Sequence, residues 1–175
     1  RDKVSALTYS WFMEARTLHA PLDTLSAANR PQGIEIATLT TFDIPALAVL
    51  TLEAYDDAVT PEALLETSEE LRLTFEGAFG ATTEDSFVGA WDGGTLIGAI
   101  LVVRESPWDD APDGPFVVDL IVAPDYRRRG IATALVSEVA TRCTNWGFDT
   151  LALRLDSRHG GARELYSMLG FEEIA

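Results

Sequence analysis

The chain has 175 residues, 47% of them hydrophobic and 23% charged, with a formal net charge of -15. These values fit one globular domain with its own core and exclude a disordered or fibrous chain. No apolar run approaches the roughly 20 residues of a membrane-spanning helix, and the opening Arg1-Asp2-Lys3 does not lead into a signal peptide's apolar core. The single cysteine, Cys143, excludes an internal disulfide and fits a reducing cytoplasm. It falls in a helical pattern, which makes it a buried packing group, and no metal site is expected. The acidic field repels nucleic-acid phosphates and favours a cationic or amine partner; its other reading is solubility alone.

In chain order, residues 4–13 set Leu7, Tyr9, Trp11 and Met13 on one alternating face and predict a strand. Residues 20–33 read as a linker, and 34–39 as a short strand. Asp43 is placed to cap a helix running to about residue 53, and Thr60-Pro61 opens a second that continues to about residue 75. Two apolar runs, 86–91 and 95–104, flank Asp92-Gly93-Gly94 and predict a hairpin. Residues 106–114 form a loop. The nearly continuous apolar run 116–122 predicts a strand covered on both faces, ended by Pro124. Residues 130–145 follow as a helix with Leu135, Val136, Val139 and Ala140 at helical spacing. A strand at 150–155 and a helix at 161–169, stopped by Gly170, complete the pattern. The final alternation of strand and helix argues for parallel pairing, and the hairpin makes the sheet mixed.

The stretch from Val122 to Thr133 carries the chemistry. A buried strand ends at Pro124, a short turn holds Arg127, Arg128 and Arg129, and a helix opens at Gly130-Ile131-Ala132. The first turn of a helix presents unpaired N–H groups at the positive end of its dipole. Gly130 and Ala132 lack bulk, so a phosphate can approach that backbone closely, and the arginines add charge. The pattern predicts a diphosphate cradle. It lacks both the Gly-Lys-Ser/Thr ending of the P-loop and the G-x-G-x-x-G of dinucleotide folds, which speaks against a nucleotide-binding module of another α/β fold.

Leu120-Ile121-Val122-Ala123-Pro124 followed by Arg127-x-x-Gly130-x-Ala132 resembles the signature of the GNAT (Gcn5-related N-acetyltransferase) family. There a hydrophobic-x-Val-x-Pro strand end precedes Q/R-x-x-G-x-G/A, and Ala132 stands for the commoner glycine. The stretch from His159 to Phe171 resembles the family's N-x-x-A-x-x-L-Y-x-x-x-G-F element, with His159 where asparagine is usual. The resemblance covers about residues 34–173. It implies an α/β (α+β) fold with a mixed central β-sheet flanked by helices on both faces, over a domain at 34–175. It implies acetyl-CoA as cosubstrate, with pantetheine paired at Leu120, Ile121 and Val122, and contacts extending to His159. The pyrophosphate would lie against Arg127, Arg128, Arg129, Gly130, Ile131, Ala132 and Thr133. Tyr166 matches the tyrosine that protonates the leaving thiolate, a transfer suited to a phenol with pKa near about 10. The implied activity is transfer of an acetyl group to a primary amine of a small molecule, a protein N-terminus or a lysine. The alternative is a non-catalytic acyl-CoA-binding regulatory module.

A general base is harder to find. Several family members carry a carboxylate or histidine four or six residues before the motif's valine, positions held here by Val118 and Phe116. Strand alternation sets Asp119, which matches the D-L-x-V pattern of many members, on the opposite face. Asp56 and Asp57, between the first two helices, are further carboxylates, with exposed loop acids as the plain reading. Trp108 among Asp109, Asp110 and Asp113 would suit a cationic amine, whereas Trp91 and Trp146 suit core packing. Asp119, Trp108 and Asp56 are therefore the candidate acceptor-binding residues.

The family continues past Gly170-Phe171 with one more strand, where this sequence stops at Ala175. Residues 1–33 read as an N-terminal extension of strand and linker. Its strand is expected to supply the missing one, within one molecule or exchanged in a homodimer; the other reading makes it the end of a preceding domain.

Overall fold

The computed structural model describes residues 16–25, 29–106, 108–155 and 162–174. Among the described residues seven strands form one sheet: β1 (Arg16–Pro21), β2 (Ile34–Thr38), β3 (Phe87–Asp92), β4 (Thr95–Val103), β5 (Phe116–Val122), β6 (Thr150–Leu155) and β7 (Glu172–Glu173). Their order is β2-β3-β4-β5-β6-β1-β7. Every neighbouring pair is antiparallel except β5 and β6. Four α-helices flank the sheet among the described residues: α1 (Ile44–Ala54), α2 (Pro61–Phe75), α3 (Ile131–Asn145) and α4 (Ala162–Leu169).

Local chemistry accounts for most element ends. Thr60 Oγ accepts from the Ala63 N–H at 3.1 Å, and Pro61 opens α2 with the φ a helix needs. Asp43 acts differently from expectation. A short 3-10 turn, Thr41–Asp43, precedes α1, and the Asp43 carboxylate accepts from the Thr40 N–H at 2.8 Å instead of capping α1. Gly170, at φ 95, stops α4 in the left-handed region.

The two faces of the sheet carry separate cores. On one, Leu135, Val136, Val139 and Ala140 of α3 and Tyr166 of α4 pack on Val102, Leu151 and Leu153. On the other, Leu47, Ala48 and Leu50 of α1 and Leu71 of α2 pack on Ala99, Leu101 and Ile121. Each fully buried leucine contributes roughly 1.5–3 kcal/mol. Gly98 permits a close approach: a Cβ there would lie 2.8 Å from the Ile131 side chain. Because Gly98 pairs with Val122, the start of α3 is pressed onto the sheet beside the end of β5.

The predicted strand at 4–13 lies outside the described residues. The segment read as a linker from residue 20 instead begins with the end of β1 and a 3-10 turn, Leu22–Thr24. Leu18 and Ala20 are buried opposite Leu153 and Leu151, so two inward side chains, together with hydrogen bonding on both sides, hold a strand too short to show periodicity. β1 lies between β6 and β7, and Arg16 pairs with Glu173 across β7 at 2.9 Å.

Cys143 is buried in the core of α3. Burial, and then the charge of Asp85, push its thiol from 9.0 up to about 12. The folded state thus keeps the proton that the unfolded chain loses first. This contribution to stability is full below pH 9 and is lost as pH rises to about 12. Unfolding free energies from urea titrations at pH 8 and pH 10.5 should fall more steeply for the wild type than for Cys143→Ala, by up to about 1.4 kcal/mol per pH unit. Equal slopes would contradict the assignment. No helix of the described residues is long and apolar enough to cross a membrane.

Candidate active site

The site begins where two parallel strands part. β5 and β6 pair only at Phe116↔Ala152 and Val117↔Leu153. Beyond that point β5 continues with β4 to Val122, while β6 continues with β1 to Leu155. The split coincides with a register shift in the β4–β5 ladder, where Leu101 faces Asp119, Val102 faces Val117, and Val118 is the extra residue. Past the bulge, the backbone of Leu120, Ile121 and Val122 borders the opening between the strands.

The bulge also corrects the expected facing of Asp119. Simple alternation sets it opposite Phe116, but the extra residue at Val118 returns the strand to the same face. Phe116 packs with Val103 and Ala152 on the α1–α2 side, and the Asp119 carboxylate accepts from Tyr55 Oη on that side at 2.6 Å. Tyr55 follows the last residue of α1 and was not among the residues expected in the site. Nothing in its local sequence marks it, because its partner is 64 residues away.

Tyr166 approaches from α4 on the other face. It is buried and meets Phe171 edge-on, with ring centroids 5.4 Å apart. Burial, and then the Asp119 charge, hold its phenol well above the ordinary value. Carboxylate and phenol therefore act on each other electrostatically from opposite sides of the sheet, close to where β5 and β6 part.

At the far end of β5, the turn Pro124–Tyr126 leads to the start of α3. Gly130 occupies the N-cap at φ 79 and, among the described residues, no side chain caps the first-turn amides, the groups an anion would meet. Successive left-handed and right-handed residues aim backbone N–H groups into one concavity, an anion-binding arrangement. Arg128, at φ 62, is also left-handed, a strain of the kind retained at functional sites. Among the described residues, a Cβ at Gly130 would find only Pro31 Cγ, at 3.9 Å. Such a concavity has the backbone donors that a phosphate group takes. Arg128 and Arg129 are exposed, with Arg129 5.2 Å from the Tyr126 ring centroid. Arg127 is engaged otherwise: its Nε donates to the Val122 carbonyl at 3.2 Å and its Nη2 to the Ala54 carbonyl at 2.7 Å.

The other expected residues among those described sit around this opening in different settings. Trp108 packs on the cluster of Val103, Phe116 and Ala152, with the Arg154 guanidinium 5.8 Å from its ring centroid. Arg154 also pairs with Asp110. Trp108 and Asp110, two of the residues read as attracting an outside amine, thus each meet the chain's own Arg154. His159 lies outside the described residues. Asp56 and Asp57 are exposed in the α1–α2 loop. Their N–H groups bond to the Glu53 and Leu52 carbonyls, a Schellman ending that puts Asp56 at φ 57. A non-glycine residue there is strained by about 1 kcal/mol or more, and its carboxylate opposes the helix dipole. Asp56→Gly should therefore raise Tm by roughly 2–4 °C, read by calorimetry; a lowered Tm would show that the aspartate is structural.

A cleft of about 740 Å3 lined by Leu39, Phe75, Glu76, Thr83 and Phe87 contains none of the expected site residues. Among the described residues no group of three His, Cys, Asp or Glu side chains could hold a metal ion.

Residues 50–171 match the sequence profile of the Acetyltransferase (GNAT) family. The sequence has no significant match among curated proteins. Among solved structures, the chain resembles a GCN5-related N-acetyltransferase from Sphaerobacter thermophilus, with 22% identity and TM-score 0.65 over 98% of this chain and 53% of that one. It thus spans about half the length of that protein. It also resembles the ribosomal-protein-S18-alanine N-acetyltransferase from Escherichia coli (20% identity, TM-score 0.60, 81% of this chain and 79% of that one). A third likeness is to an aminoglycoside 6'-N-acetyltransferase from Acinetobacter baumannii (20% identity, TM-score 0.62, 82% and 93%).

Proposed function

This chain belongs to the GNAT acetyltransferase family, and from that premise we propose that it transfers an acetyl group from acetyl-CoA to a primary amine of a small molecule or a protein. The observation that carries the reading is the opening between β5 and β6, bordered by Asp119 and leading to the uncapped start of α3. Acetyl-CoA, when bound, supplies an acyl carbonyl activated as a thioester and a thiol leaving group.

The chain's own groups divide the remaining work. First-turn amides at Ile131, Ala132 and Thr133 hold the diphosphate, with charge from Arg128 and Arg129. Backbone groups of Leu120, Ile121 and Val122 pair with the pantetheine arm and polarise an acyl oxygen. His159 is carried into this set by its place in the family motif. Asp119 takes the proton of the incoming ammonium, with Tyr55 Oη holding the carboxylate in place. Tyr166 donates its phenolic proton to the sulfur as the C–S bond breaks, and the second proton shed by the newly acylated nitrogen restores the phenol; its raised pKa keeps that proton in place through neutral pH. The exposed Asp56 and Asp57 and the net charge of -15 favour a cationic acceptor.

A panel of polyamines, aminoglycosides and peptides tests this with acetyl-CoA and a thiol reagent. Thiol release should depend on an amine and fall by about a hundredfold or more in Asp119→Asn. CoA binding without release for any amine would instead fit a non-catalytic acyl-CoA-binding module. Release indifferent to Asp119→Asn would remove that residue from the mechanism.

A further inference from the structure

Arg127 occupies the arginine position of the phosphate-loop motif, yet its guanidinium faces two carbonyls. Nε donates to Val122, the last residue of β5, at 3.2 Å, and Nη2 to Ala54, the last residue of α1, at 2.7 Å. The planar guanidinium fixes the relative position of both acceptors, which a lysine could not do. A cation at a helix C-terminus also sits at the negative end of the dipole. The next residue, Tyr55, makes a second tie to β5 through Asp119 at 2.6 Å. The end of α1 is therefore latched to β5 at Asp119 and Val122, the two ends of the stretch that borders the opening. The latch at Val122 belongs to the turn leading into the cradle, and the chain beyond Tyr55 is the loop carrying Asp56 and Asp57.

We propose that Arg127 is a positioning residue that ties the cofactor loop to the α1–α2 loop, so that loading CoA on the cradle orders the acceptor side of the site. This rests on the cofactor reading above. Settling of the 124–130 turn onto a diphosphate is transmitted through one side chain to Ala54 and on to residues 55–60. Arg128 and Arg129, whose side chains do not make this bridge, supply the phosphate-facing charge.

The test uses CoA itself as probe, with titration calorimetry and amide hydrogen exchange. In the wild type, saturating CoA should slow exchange at residues 55–60 by at least about fivefold, the lower end of ordinary coupling between sites. Arg127→Gln should keep the Kd for CoA within about threefold of wild type and lose that CoA-dependent protection. Arg128→Gln should do the reverse, weakening CoA while keeping the loop protected at saturation. Arg127→Lys, which keeps the charge but not the planar fork, carries the same comparison if Arg127→Gln does not fold. The proposal is overturned if Arg127→Gln raises Kd by about tenfold or more, as loss of a phosphate ligand would. It is equally overturned if protection persists in Arg127→Gln or is absent from the wild type. Failure of wild-type CoA binding is a separate result, which would remove the functional reading and this inference with it.

Discussion

Ala132→Glu should raise the Kd for CoA by about a hundredfold or more while leaving Tm unchanged or slightly higher. Ala132 is the second residue of α3 and is partly exposed in the first turn. A carboxylate there complements the helix dipole and stabilises the fold by roughly 0.3–1 kcal/mol. The same carboxylate sits among the amides assigned to the diphosphate. At about 5 Å and an effective dielectric near 20, each like-charge pair costs about 3 kcal/mol, which is roughly a hundredfold in Kd. The opposite signs of the two effects separate lost binding from lost folding. An unchanged Kd would place the diphosphate elsewhere.

Tyr166→Phe should lower kcat by about a hundredfold to ten-thousandfold, the range of a general acid, with the Kd for CoA nearly unchanged. The ring is buried and packed on Phe171, so phenylalanine keeps the packing and removes only the hydroxyl. Its phenol is held above its ordinary value by burial and by Asp119. The wild type should therefore retain the donor form beyond the pH where a free phenol ionises. By the same sign, this burial supports the fold below about pH 10, the unfolded value, and that support is lost as pH rises further. An unchanged kcat would leave Tyr166 as a packing residue.

The strand end, turn and helix start between Val122 and Thr133 were legible in the sequence because their signals are contiguous: strand end, proline, arginines and Gly-x-Ala lie within a dozen residues. The hairpin at Asp92-Gly93-Gly94 and the start of α2 at Thr60 were legible for the same reason. β1 was not. It places only Leu18 and Ala20 inward, and what holds it is pairing with β6, more than a hundred residues away. The orientation of Asp119 was hidden too, since a bulge is a property of the β4–β5 ladder rather than of either strand alone. Arg127 shows a third limit. Its motif position suggested a phosphate contact, whereas its fork reaches a carbonyl 73 residues back in the chain. Sequence order records neither distance nor competition for a donor.

Amide chemical shifts recorded while acetyl-CoA is added to the wild-type protein test the central claim most directly. Tight, saturable changes centred on residues 119–122 and 130–133 are the predicted result. Changes confined to the cleft around Phe75 and Phe87, or none at millimolar ligand, would contradict it.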